Sequence, residues 1–198
     1  MNRHNIIPKR ERQLSETGDA VGVNKKKWFI AIVKNNTELS SSMKLGQMGY
    51  ETFVPLQDIV YEYNGRLKKR KKVVVSTYLF VHVSDKERRQ IVNLPFVLRF
   101  LTNISGNRDS FGKHPLAIIP DEEMSKFCTL VEKSETEIFI EATPKDTGEE
   151  VEIRSGKLKG LSGHVIHVSE EKHFFILQIS CLGCAKVSVN YGILRPKK

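Results

Sequence analysis

Gly148-Glu149-Glu150-Val151-Glu152-Ile153-Arg154-Ser155-Gly156-Lys157-Leu158-Lys159-Gly160-Leu161-Ser162-Gly163-His164-Val165 is the stretch that decides the fold. Val151, Ile153 and Val165 occupy alternate positions, as strand residues do. Gly156, Gly160 and Gly163 mark places where the backbone turns tightly or takes positive φ. A strand, a glycine loop and a second strand open a small five-stranded barrel. The rest of the C-terminal region agrees. Val151–Arg154, Gly163–Val168, Phe174–Ile179, Lys186–Val189 and Ile193–Arg195 read as short strands, and so few residues bury a core by curling into a barrel.

Outward from this stretch the charge changes sign. The chain of 198 residues carries a formal net charge of +9. Residues 1–27 hold seven Lys/Arg against three Asp/Glu, and residues 28–133 hold sixteen against eleven. Residues 134–150 hold one against six, and residues 151–198 hold eight against three. Two basic blocks flank an acidic stretch, the pattern of two domains joined by a solvated linker. Basic domains attract polyanions, of which nucleic acid is the commonest in the cytoplasm. Residues 1–26 lack periodicity and read as a disordered basic tail. They show no apolar signal segment, and no run approaches the ~20 residues of a membrane span. The expected location is the cytoplasm, with no membrane partner.

Between the tail and the linker the spacing predicts an α+β domain with an antiparallel-rich sheet and helices packed on it. Trp28–Val33 is a buried strand. Leu39, Met43 and Met48 suggest a short helix. Glu51–Leu56 and Ile59–Tyr63 are strands broken at Pro55 and Gln57. Asn64-Gly65 is a hairpin turn, since both residues tolerate positive φ. The returning strand is expected over Lys71–Val75, and Thr77–Val83 follows. Ser84-Asp85-Lys86-Glu87 is a capping box opening a helix to about Asn93. Val97–Thr102 resumes a strand, 103–117 is a polar loop, and Pro120-Asp121-Glu122-Glu123 starts a helix with an acidic first turn.

Arg66-Leu67-Lys68-Lys69-Arg70-Lys71-Lys72 places six cations in seven residues. At a hairpin it projects as a charged finger suited to phosphate contact without sequence reading. The alternative is a solvated hairpin that resists edge-to-edge aggregation. Tyr78 and Phe80 share one face of their strand and Leu79 and Val81 the other, so one face packs on helices and the other is available to a partner. Cys181-Leu182-Gly183-Cys184 is a single C-x-x-C with no second pair, and a hairpin turn is its expected role. Gly156-Lys157 lacks the phosphate-loop spacing. No nucleophile elbow, carboxylate pair or zinc-protease helix occurs, so neither an enzyme nor a cofactor or metal is expected.

Taken together, Lys27-Trp28-Phe29, Phe53-Val54-Pro55, the hairpin and aromatic strand of Asn64–Val83, Pro120-Asp121-Glu122-Glu123 and the glycine-marked stretch at 148–165 resemble the NusG family of transcription elongation factors. The resemblance implies an N-terminal domain over 27–133, an acidic linker over 134–147 and an SH3-like KOW barrel over 148–198. It implies a monomer that binds the clamp helices of the largest catalytic subunit of RNA polymerase. Tyr78 and Phe80 match the docking patch, with Trp28 and Phe53 as its support, and Arg88, Arg89 and Gln90 match a helix edge near the other side of the channel. Truncating Tyr78 or Phe80 is expected to weaken polymerase binding while leaving the fold intact. Lys68, Lys69, Arg70, Lys71 and Lys72 are expected to meet non-template DNA or nascent RNA. Leu158 and Leu161 are expected to meet a KOW-domain partner, a ribosomal protein or Rho.

The departures point to a specialised paralogue. Val75-Ser76-Thr77-Tyr78 replaces the Phe-Pro-Gly-Tyr of housekeeping members. Leu158 stands where they carry a phenylalanine, and Leu182-Gly183 where they carry Phe-Gly. Tyr78-Leu79-Phe80-Val81 is similar to RfaH and to capsule-locus regulators of Bacteroides-type bacteria. The expected function is antitermination on particular long operons, surface-polysaccharide ones among them. The alternatives are a general housekeeping member and a ribosome-associated RNA-binding protein of KOW type.

Overall fold

A computed structural model describes residues 6–7, 25–144, 148–168 and 173–197. In chain order the strands and helices are Ile6–Ile7 (β1), Lys27–Val33 (β2), Glu38–Gln47 (α1), Glu51–Phe53 (β3), Leu56–Tyr63 (β4), Arg66–Val73 (β5) and Tyr78–Val83 (β6). They continue with Asp85–Ile91 (α2), Val97–Phe100 (β7), Ile118–Ile119 (β8), Asp121–Lys133 (α3) and Phe139–Glu141 (β9). Glu149–Ile153 (β10), Ser162–His167 (β11), His173–Ile179 (β12), Gly183–Val189 (β13) and Leu194–Pro196 (β14) complete the order, with a 3-10 turn at Tyr191–Ile193. The described residues gather into two compact units, drawn from Met1–Val54 with Ser76–Asp121 and from Pro55–Val75 with Glu122–Lys198.

In the first unit an antiparallel sheet runs in the order β1-β3-β6-β2-β7, with β8 sharing the β7 edge of β2. Apart from Ile6–Ile7, which pair with Phe53 and Thr52, the expected tail lies almost wholly outside the described residues. Residues directly opposite in an antiparallel pair share a face. Ala31↔Leu79 and Phe29↔Val81 therefore define one face, and Ile30↔Phe80 and Ile32↔Tyr78 the other. The first face receives α1 and α2. Ser42 of α1 bonds Thr52 of β3, hydroxyl to hydroxyl at 2.8 Å. The Arg88 guanidinium of α2 lies 5.8 Å from the Phe29 ring and 5.6 Å from the Phe100 ring.

Two details of this unit differ from the sequence reading. Helix α1 forms, but it buries Glu38, Ser41, Ser42 and Leu45 and leaves Leu39, Met43 and Met48 about half exposed. Small hydroxyl side chains let the helix approach the sheet closely, and the Glu38 carboxylate accepts from the Thr77 N–H at 2.7 Å. Ile118–Ile119, just past the expected polar loop of 103–117, adds a short strand that pairs with Trp28 and Phe29. The capping box of α2 forms as expected: the Glu87 N–H donates to Ser84 Oγ, and the Ser84 N–H donates to the Glu87 carboxylate.

In the second unit the sheet order is β14-β10-β11-β12-β13-β9, antiparallel throughout. Its first and last C-terminal strands are neighbours through β10 and β14, and Phe139–Glu141, from the stretch read as a linker, pairs with β13 at the far edge. Val151, Ile153, Val165, Phe175, Ile179, Ala185 and Val187 are buried. Gly156 and Gly160 take positive φ as their sequence setting demands. Gly163 does not; its role is close approach, because a Cβ there would sit 2.5 Å from both the Phe175 ring and the Ile176 carbonyl oxygen. Cys181 lies in the β12–β13 turn and Cys184 in β13, where its buried thiol is pushed up in pKa, chiefly by loss of solvent. Helix α3 buries Met124, Phe127, Leu130 and Val131. Its Glu123 carboxylate accepts from the Ser180 N–H at 2.7 Å and from the Ser180 hydroxyl at 3.0 Å.

Candidate nucleic-acid interface

Strands β4 and β5 form a hairpin whose connection is Asn64-Gly65, with φ of +52° at Asn64 and +70° at Gly65.

 Two successive positive φ values make the type I′ turn, whose twist matches that of the flanking strands. A two-residue turn fixes the register: Tyr63 faces Arg66, Tyr61 faces Lys68, Ile59 faces Arg70 and Gln57 faces Lys72. The basic run is therefore a strand from Arg66 onward, where the sequence reading began the returning strand at Lys71. Strand β4 is likewise continuous through Gln57.

The register sorts the cations. One face carries Gln57, Ile59, Tyr61 and Tyr63 with Arg66, Lys68, Arg70 and Lys72, and has no acidic residue. The other carries Asp58, Val60 and Glu62 with Leu67, Lys69 and Lys71, two acids against two bases. On the first face the Lys68 Nζ lies 4.3 Å from the centre of the Tyr63 ring, and the Arg70 guanidinium 5.0 Å from that of Tyr61. Residues 66–70 are exposed, and Tyr63 is 54% exposed.

The base of the hairpin is held by a buried amide. Gln57 Nε2 donates to the Thr136 carbonyl at 2.6 Å, and Gln57 Oε1 accepts from the Ile138 N–H at 2.8 Å. Lys72 pairs with Glu137 at 2.6 Å. Of the expected nucleic-acid set, Lys68 and Arg70 thus share the aromatic face, Lys72 is engaged at the base, and Lys69 and Lys71 lie opposite. Tyr61 and Tyr63 lie outside the expected set. Their signal was present in the sequence, because a two-residue Asn-Gly turn dictates which residues face one another.

The residues expected to meet polymerase are divided. Tyr78 is half-buried on β6, whereas Trp28, Phe53 and Phe80 are core residues, the last two fully buried. The Phe53 and Phe80 rings lie 6.0 Å apart. The expectation that Phe80 can be truncated without loss of fold is corrected by that burial. Trp28 stacks on His82 at 4.8 Å, and His82 Nδ1 is 2.7 Å from the Glu51 carboxylate. Arg88 is committed to Phe29, Phe100 and an ion pair with Asp85, while Arg89 and Gln90 are exposed. Gln90 accepts from the Tyr50 hydroxyl at 3.3 Å. In the second unit Leu158 is half-exposed in the β10–β11 loop and Leu161 is buried. Among the described residues no group of three or more His, Cys, Asp or Glu is placed to hold a metal ion, and no helix is long and apolar enough to cross a membrane.

The family model described as transcription termination factor nusG matches residues 26–128, just over half of the chain. The chain belongs to the NusG family, whose members are soluble, non-enzymatic factors acting in transcription elongation and typically binding RNA polymerase. Among solved structures it is similar to one described as domain interaction in Thermotoga maritima NusG, at 16% identity and a TM-score of 0.44, covering 88% of this chain and 98% of that one. The MjSpt4:Spt5 complex in conformation A is matched at 13% identity and a TM-score of 0.26, covering 86% and 98%. Conformation B is matched at 15% and 0.26, covering 85% and 95%. No curated protein sequence matches.

Proposed function

We propose that this protein is a specialised NusG-family antitermination factor of the cytoplasm, acting as a monomer on RNA polymerase to suppress pausing and promote readthrough of particular long operons, surface-polysaccharide operons among them. The family match over residues 26–128 carries the reading, because that segment holds every strand of the first sheet but β1, together with the hairpin. The docking site is the clamp-helix pair of the largest catalytic subunit. Half-buried Tyr78 and exposed Arg89 and Gln90 supply the contacts, with Arg88 beside them and Trp28, Phe53 and Phe80 as the supporting core. Residues 27–133 act as the polymerase-binding domain and 134–147 as the linker. Residues 148–198 act as a KOW barrel, with Leu158 as the contact for a ribosomal protein or Rho and Leu161 beneath it. The cations of 68–72 contact non-template DNA or nascent RNA.

No bond is made or broken in this mechanism. A factor that binds the closed-clamp polymerase more tightly than the open form shifts the population toward the closed one. Moving it from mostly open to mostly closed takes about 5 kcal/mol of differential affinity. Co-purification with bacterial RNA polymerase core is the test. The full chain is expected to bind core enzyme, and Tyr78→Ala to weaken that binding at least tenfold with unchanged thermal stability. Failure of the folded full chain to bind core, with residues 148–198 present or deleted, would overturn the reading.

A further inference from the structure

We infer that the Tyr61–Tyr63 face of the β4–β5 hairpin is a stacking platform for unpaired nucleic acid, single-stranded DNA or RNA, and that the opposite face contributes less. The inference deepens the nucleic-acid reading of residues 68–72 and rests on it. Three observations carry it. On one face Arg66, Lys68 and Arg70 have no acidic residue of the hairpin beside them and Lys72 pairs with Glu137 at its base, while Lys69 and Lys71 share their face with Asp58 and Glu62. Phosphate attraction is therefore one-sided. The same face carries two tyrosines, and each holds a cation over its ring in place of a carboxylate partner. Charge for the backbone and a ring for the base thus stand side by side, the combination that binds single strands with little regard to sequence.

The spacing selects the unpaired state. Tyr61 and Tyr63 are two residues apart on one strand, so their side chains emerge roughly 7 Å apart. Successive bases in a duplex are spaced by only about 3.4 Å along each strand. A strand that uses both rings must have its bases splayed, which a paired helix does not allow. Tyr63, 54% exposed near the hairpin tip, offers the more open ring.

The test is fluorescence anisotropy of the full-length protein with labelled (dT)20, (rU)20 and a 20-base-pair duplex, over a range of salt. Both single strands are expected to bind at least tenfold more tightly than the duplex. A preference between (dT)20 and (rU)20 identifies displaced DNA or transcript as the natural strand. Stacking on one ring is worth about fivefold at the low end. Tyr61→Ala with Tyr63→Ala is then expected to weaken single-strand binding at least about 25-fold and duplex binding less than twofold. Phenylalanine at both positions is expected to retain binding, which separates stacking from loss of the hairpin. Lys69→Gln with Lys71→Gln is expected to change less than Lys68→Gln with Arg70→Gln. Single-strand affinity unmoved by the double alanine variant would overturn the platform while leaving the cationic reading in place. Affinity unmoved by Lys68→Gln with Arg70→Gln as well would overturn both.

Discussion

Strand β6 and the hairpin β4–β5 both combine aromatic side chains with strand geometry, yet they use them in opposite ways. Phe80 on β6 packs against Phe53 and is fully buried. Tyr63 on β4 is more than half exposed and lies under Lys68. The neighbouring strands make the difference. β6 is flanked by β2 and β3, so its side chains meet other apolar side chains, while β4 has only the cationic β5 beside it. An aromatic residue on a strand is thus a core residue or a surface reagent according to what its register places opposite.

Several measurements sharpen or break this contrast. The largest effect is expected at Phe80→Ala, which should cost about 3–5 kcal/mol in urea denaturation. A cost under about 1 kcal/mol would show that β6 is not core. Gln57→Ala should cost about 1–3 kcal/mol, because it leaves the buried Ile138 N–H without its acceptor. A neutral result would mean the hairpin base is not anchored there. Tyr63→Ala should change stability by less than about 0.5 kcal/mol, as exposed substitutions do. A large loss would make the ring structural. Lys68→Gln should lower the salt slope of single-strand binding by about 0.7, and Lys69→Gln should lower it less. Equal effects would mean that the two faces are not distinguished.

The smallest effect separates free charges from paired ones. Lys157 holds the pKa of Glu135 below the ordinary carboxylate value, and Lys197 does the same for Glu150. These exposed pairs add stability above the ordinary carboxylate pKa, and it is lost as pH falls through the lowered values. Thermal melting should show a slight decline with acid that is reduced in Lys197→Gln.

The order of the elements was legible because punctuation in the sequence is chemical. Asn64-Gly65 gives the hairpin, Ser84 with Glu87 the start of α2, and the apolar alternation of residues 151–165 the first two strands of the second sheet. What periodicity missed has physical causes. Leu39 and Met43 stand four apart and suggest a buried stripe, but α1 packs on its hydroxyl face, where Ser42 meets Thr52. The returning strand begins at Arg66 and not at the expected Lys71, because cross-strand pairing overrides local repulsion when the turn fixes the register. Gln57, read as a strand break, lies within β4, because the partners that satisfy its buried amide are about eighty positions away. The nucleic-acid site was readable as charge. Its sidedness and its two tyrosines emerge only when the register is followed across the turn.

The most direct test of the functional account is single-round transcription by bacterial RNA polymerase across a pause site and a terminator, with and without the full-length protein. The account predicts shorter pauses and more readthrough, diminished by Tyr78→Ala. Unchanged pausing and termination at concentrations where the protein is bound to polymerase would contradict it.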